Sequence, residues 1–249
     1  MDAATLIDRL DRHGAALGDA AERAGLEADV PTCPGWDVQA LLAHVGMVHR
    51  WAATHVREGN AAFAGNTVAP EFPAPEDGVL DWYRAGHAEL VQALHAAPDD
   101  LVAYTFLADA DAGAARTFWA RRQAHETAIH RADAEAALGS VPDFDRDFAV
   151  DGIAELLEGF YARAGGKLVA DPPMSLRVAP SDAGVSWLVA LRPDGRTITR
   201  DVDGTADCTL SGPSGGVYLN LWNRGGTVQV SGDERAVQLW RRLARVRWR

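Results

Sequence analysis

The chain has 249 residues, 47% hydrophobic and 24% charged, enough apolar material for one large globular core or two small ones. Those values exclude a disordered chain, a collagen-like repeat and a disulfide-stapled miniprotein. A formal net charge of −11 argues against a nucleic-acid partner, because binding phosphates takes a basic field.

Other bulk features point the same way. Cys33 and Cys208 are the only cysteines, and two cysteines this far apart suggest no disulfide framework, which fits a reducing cytoplasm. The opening residues lack the basic start and apolar run of a signal peptide. No apolar run approaches the roughly 20 residues that cross a bilayer. The expectation is a cytoplasmic protein with no membrane partner, as a monomer or a dimer. Lys167 is the only lysine, which reads as composition bias rather than function.

The first half predicts four helices. The first covers about 3–24, with Leu6, Leu10 and Leu17 on one stripe. Pro31, Pro34 and Gly35 break the chain before the second, which Asp37 caps and which runs to about 57. Its apolar stripe contains Leu41, Val45, Val48, Trp51 and Ala52. After a loop with Pro70, Pro73 and Pro75 comes a third helix over about 77–96. A crossover leads to the fourth, about 114–138, with Gly139 where a terminating glycine belongs. This pattern suggests a four-helix bundle of up-and-down type, a fold that builds metal and cofactor sites from inward side chains.

After about 140–150 the texture changes, and Gly139-Ser140-Val141-Pro142-Asp143 carries the boundary signals. A helix over about 148–164 is ended by Gly165-Gly166. Strands are expected at 174–178, 185–191, 196–202, 206–211 and 227–230, with Pro193-Asp194-Gly195 as a turn. Helices at about 213–223 and 233–247 complete an α+β domain. The whole reads as an α+β protein of two domains: a four-helix bundle over 1–145 and a small α+β domain over 146–249.

All eight histidines lie at or before position 130. Glu126 and His130 are four apart on the fourth helix, so they leave one face one turn apart. A carboxylate and an imidazole at that spacing can hold one divalent metal. Asp133, one turn further, can accept from the ring of His130 and fix its tautomer. On the second helix, His44 sits inside the apolar stripe between Leu41 and Val48. A buried imidazole needs partners, and His44 with Glu126 and His130 would make three protein ligands. Three ligands and an open position describe a catalytic zinc-type centre. The rival third ligand is His49, about 140° away on the same helix, which could instead contact substrate. His125 is turned off the metal face and reads as a packing residue or one that supports a metal ligand.

The remaining candidates are weaker. His87 reads as a core histidine, and His13, His55 and His95 as solvated. Cys33 could be a nucleophile but shows no base nearby in sequence; Cys208 reads as core. Gly212-Pro213-Ser214-Gly215-Gly216 is like a phosphate cradle but lacks the Lys-Ser/Thr of a P-loop, so a helix-entry loop is expected. Six arginines from Arg235 to Arg249 give a basic final helix, read as a solvated face.

Two segments resemble a known family. Cys33-Pro34-Gly35-Trp36-Asp37-Val38 with Leu41-Leu42-Ala43-His44-Val45 resembles the second-helix motif of the mycothiol-dependent maleylpyruvate isomerases. The stretch from His125 to Glu135 resembles their fourth-helix motif, and Asp207 through Arg224 resembles the closing motif of their C-terminal domain. The family's DinB-like bundle and sterol-carrier-like second domain are implied for most of the chain. The resemblance places divalent metal ligands, zinc by analogy, on His44, Glu126 and His130. It places an arginine that faces an anionic group of substrate or thiol on Arg224. It implies mycothiol as cosubstrate and a metal-bound thiolate that attacks an electrophilic small molecule, as a cis–trans isomerase or a thiol S-transferase. The alternative is a non-catalytic, metal-containing small-ligand binding protein.

Overall fold

The computed structural model describes residues 1–59, 72–107, 113–163, 166–200 and 204–244. The chain divides into two compact units, 1–142 and 143–249. Among the described residues, no helix is long and apolar enough to cross a membrane.

The first unit is a four-helix bundle of α1 (Ala3–Ala24), α2 (Val38–Glu58), α3 (Val79–Ala96) and α4 (Ala115–Ala136). Asp2 and Asp37 cap α1 and α2 by accepting from the backbone N–H groups of Thr5 and Ala40, at 2.8 and 2.7 Å. Leu6, Leu10 and Leu17 of α1 and Leu41, Val45, Val48 and Ala52 of α2 are buried, as their helical spacing requires. The packing corrects the up-and-down expectation. Helix α1 packs on α4 and α3, and α2 packs on α3 and α4, so the consecutive helices α1 and α2 lie diagonally. The stretch from Gly25 to Asp37 is long enough to make that crossing, and it puts α2 beside α4. Pro70, in the proline-rich loop, lies outside the described residues.

Two histidines expected in solvent are buried. His13 is 8% exposed and His55 is 2% exposed. The spacing explains both. His13 falls between Leu10 and Leu17 on the inward stripe of α1. His55 lies one turn beyond Trp51, and its ring stacks on Trp119 at 5.2 Å between centroids. His95 is exposed, as expected. His87 is a core residue, and Gly14 makes room for it: a Cβ there would stand 2.1 Å from the imidazole.

In the second unit α5 (Arg146–Ala154) runs into a π-helix (Glu155–Tyr161). The sequence suggests one continuous helix to about 164, but the hydrogen-bond pattern widens at Glu155; residues 164 and 165 lie outside the described set. The strands are β1 (Met174–Pro180), β2 (Trp187–Arg192), β3 (Gly195–Arg200), β4 (Cys208–Gly212) and β5 (Gln229–Gly232), with α6 (Ser214–Leu221) before β5 and α7 (Arg235–Leu243) after it. The end of the third expected strand, at 201–202, and the last arginines, Arg245, Arg247 and Arg249, are outside the described residues.

The sheet order is β3-β2-β1-β4-β5. Strand β1 pairs antiparallel with β2 and parallel with β4, and Pro193-Asp194 turns β2 into β3. Leu176, Val178, Trp187, Val189, Leu191, Cys208 and Leu210 are buried, the period-2 face that a one-sided sheet presents. The glycine-rich segment before α6 is a helix entry. The backbone N–H of Ser214 donates to Oδ1 of Asp182 at 3.0 Å, so a carboxylate of the chain takes the place a phosphate would need.

Burial favours the neutral form of four imidazoles in the bundle, those of His13, His49, His55 and His87. Burial, then the guanidinium of Arg131, lowers His13 to about 3. Burial lowers His49 well below its ordinary value and lowers His55 and His87 too. In the unfolded chain these groups bind protons below about pH 6.5, and in the fold they do not. The stability they contribute is therefore present above about pH 6.5 and lost as pH falls toward the folded values. The urea midpoint of the bundle should fall from pH 7 to pH 5. Among the described residues Nε2 of His55 is buried without a hydrogen-bond partner, so His55→Phe should raise the midpoint more at pH 5 than at pH 7. An equal change at both pH values would remove His55 from this account.

Candidate metal centre

Helix α4 is polar, yet every residue from Arg122 to His130 is buried. That conflict between composition and environment marks a site. Its centre is Glu126. Oε1 of Glu126 lies 3.3 Å from Nε2 of His130 and 3.6 Å from Nε2 of His44. The Oε2 atom accepts from Nη2 of Arg122 at 2.9 Å. His130 and Arg122 are each one turn from Glu126 on α4, and the diagonal path of α2 brings His44 across to it.

The second ring nitrogen of His130 is also engaged. Nδ1 of His130 lies 2.8 Å from Oδ2 of Asp133, which turns Nε2 toward Glu126. Asp133 is fully buried and accepts from two more groups. Oγ1 of Thr32 donates to Oδ1 at 2.5 Å, and Sγ of Cys33 donates to Oδ2 at 3.4 Å. Cys33 thus has a carboxylate beside it that sequence reading missed, because the two residues are a hundred positions apart. The thiol donates to that carboxylate within the wall of the site.

The charges are strongly coupled. Burial alone would raise the Glu126 carboxyl, but hydrogen bonds from His130 and His44 and the charge of Arg122 hold it well below the usual carboxylate range. Burial alone would lower His130; its bonds to Asp133 and Glu126 reverse the sign and raise it to about 9.

The donor set fits a divalent cation. One ligand atom each from His44, Glu126 and His130 lies within 4.8 Å of the others. Ligands about 2.1 Å from a tetrahedral ion stand about 3.4 Å apart, and the two separations to Oε1 of Glu126 bracket that value. The side chain of His44 keeps 17% exposure against 10% for His130 and 6% for Glu126. It is half-buried rather than buried, so the cluster opens on its side.

His49 lies outside this cluster. It is fully buried, its Nε2 is 2.8 Å from Oγ1 of Thr127, and its ring packs against Tyr83 and His87. His125 is buried and acts electrostatically on His13. Trp36 and Arg122 are the residues of the site that sequence reading passed over. The ring of Trp36 lies 5.1 Å from that of His44 and 6.5 Å from that of His130; its place one residue before the Asp37 cap was the available signal. In the second unit, Arg224 is half-buried. Its Nη1 donates to the carbonyl of Trp222 at 2.7 Å, beyond the C-terminal end of α6.

Comparison with known proteins places the chain. The family model described as the mycothiol maleylpyruvate isomerase N-terminal domain matches residues 3–135. The model described as the MDMPI C-terminal domain matches residues 147–239. No curated protein matches the chain. Two crystal structures of the mycothiol-dependent maleylpyruvate isomerase, one of them a histidine-to-alanine mutant, share the fold with a TM-score of 0.64. Their identities to this chain are 14% and 15%, and the match covers 93% of each chain. With its bundle and its α+β unit both matched, the chain belongs to the mycothiol maleylpyruvate isomerase family.

Proposed function

We propose that the chain is a metal-dependent, mycothiol-using enzyme that isomerises an electrophilic small molecule of the maleylpyruvate type across a cis double bond. The observation that carries this reading is the convergence of His44 and His130 on one oxygen of Glu126, with Asp133 holding the far nitrogen of His130. Family membership supports the thiol and the reaction class.

In this reading His44, Glu126 and His130 hold one divalent ion, zinc by the nature of the ligands. When bound, the metal supplies the positive charge that lowers a thiol's pKa and keeps it as thiolate near neutral pH. The chain's own residues do the rest. Arg122 keeps the Glu126 carboxylate ionised and fixes its unshared oxygen. Asp133 holds a proton of His130 at Nδ1, so that Nε2 would give its lone pair to the metal when it binds.

The chemistry on the substrate then balances without an oxidant. The thiol sulfur bonds to one carbon of the double bond, and the π electron pair moves to the conjugated carbonyl. The former double bond turns as a single bond. The pair returns, the carbon–sulfur bond breaks, and the thiol leaves unchanged. A thiol S-transferase shares the first step; the enolate then takes up a proton, the one the thiol gave up, and the thioether is retained. Arg224, by family resemblance, binds an anionic group of the substrate or thiol.

The purified protein should contain one zinc per chain, and elemental analysis checks it. His44→Ala should remove most of that metal, whereas His49→Gln, which keeps a donor for Thr127, should retain it. Equal loss in both variants would take His44 off the ligand set.

Incubation with maleylpyruvate should give isomerisation only when mycothiol and metal are both present, followed by absorbance or NMR. A chelator should abolish the reaction and zinc should restore it. A stable thioether in the mass spectrum would convert the reading to a transferase. No turnover by the zinc-loaded protein would leave it as a binding protein.

Arg224→Lys keeps a cation and a donor for the Trp222 carbonyl but loses the planar fork. It should weaken thiol or substrate binding while metal content and unfolding midpoint stay unchanged. Unaltered binding would leave Arg224 as a helix-end residue, a role worth about 0.3–1 kcal/mol.

A further inference from the structure

We infer that Trp36 is a positioning residue for the metal ligands: its indole fixes the rotation of both imidazoles, so the affinity of the centre depends on an aromatic ring at this position. The inference rests on the proposed metal-holding role of His44, Glu126 and His130.

Three rings meet at the cluster. The indole of Trp36 is nearly parallel to the ring of His130, at 15° between planes. It is tilted by 59° to the ring of His44. The two imidazoles meet edge to face at 5.1 Å. A histidine ring turns easily about its last side-chain bond, where the torsional preference is broad. For His130 the bond to Asp133 restrains that turn. For His44 no such bond exists on its other nitrogen among the described contacts. Its restraint comes from packing, and Trp36 is the aromatic residue in contact with both rings.

The indole is itself held firmly. Residues 30–36 form a tight loop. The N–H of Cys33 donates to the carbonyl of Val30, that of Trp36 to Cys33, and that of Val30 to Trp36, each at 2.9 Å. Asp29 and Asp37 bridge across its neck. Thr32 and Cys33 tie its middle to Asp133. One side of the indole packs against the apolar core that contains Val30, Val38, Leu41 and Leu42. A ring anchored this way can act as a wall for its neighbours.

The electronic term has the same sign. An imidazole that gives its lone pair to a dication becomes electron-poor, and an aromatic face favours an electron-poor neighbour. With 5.1 Å between the ring centroids of Trp36 and His44, the wall therefore favours the ligated form of His44 as well as its orientation. Groups that orient metal ligands from outside typically change metal affinity by about 10–100-fold when removed.

The test compares Trp36→Phe with Trp36→Leu. Leucine keeps apolar bulk without a ring, and phenylalanine keeps the ring. Zinc affinity is read by competition against a chromophoric chelator, and the visible absorption of the cobalt-substituted protein reports ligand geometry. Circular dichroism and thermal unfolding confirm that both variants are folded.

Trp36→Leu should bind zinc about 10–100-fold more weakly and alter the cobalt spectrum. Trp36→Phe should retain most of the affinity and the wild-type spectrum. Wild-type affinity in the leucine variant overturns the inference while leaving the metal centre intact. Equal losses in both variants overturn it as well, since any aromatic ring should serve. Absence of zinc and cobalt binding in the wild-type chain overturns the metal reading itself, and the inference with it.

Discussion

A buried carboxylate sets the terms for the bundle. Glu126 keeps only 4% of its surface exposed, and an isolated charge there would cost several kcal/mol or lose its ionisation. The chain answers with a guanidinium on one oxygen and two imidazoles on the other. Those partners dictate the rest. Arg122 and His130 must sit one turn to either side on α4, which makes α4 polar in a buried position. His44 comes from another helix, and the path that sets α2 beside α4 rather than beside α1 delivers it. A hydrophobic core alone would not require that path.

The same reasoning explains what the sequence reveals. The turn spacing of Glu126, His130 and Asp133 is a local property of one helix, so it can be read without knowing the fold. His44 is legible because it interrupts an apolar stripe; spacing alone does not separate it from His49, whereas the family motif and the packing do. The partners that come from afar are not legible in this way. Thr32 and Cys33 reach Asp133 across about a hundred positions, and no periodicity links them. Arg122 is hidden for another reason: an arginine on a helix ordinarily faces solvent, and here it is buried and paired with the carboxylate of Glu126.

In the second unit, alternation of apolar residues in β1, β2 and β4 gives the strands but not their order. The order needs β4 to return beside β1 in parallel, a pairing of distant segments. The glycines around α6 show a related limit. Gly216 and Gly226 let two backbones approach so closely that a Cβ on either would meet a carbonyl oxygen at 2.4 or 2.2 Å. In sequence Gly216 belongs to a segment that is like a phosphate cradle, because close approach to a ligand and close approach to the chain itself demand the same small residue.

Asp133 binds the loop at residues 30–36 and the ring of His130 with one carboxylate. The two therefore cannot change independently, and thermodynamic linkage makes their coupling reciprocal. Whatever free energy the ordered loop lends to a cation on His130, the cation returns to the order of the loop. Cys33 lies inside that loop with its thiol on the shared oxygen. On the proposed metal reading, the rate at which a thiol reagent reaches Cys33 would become a gauge of how full the centre is, read from a residue outside the ligand set.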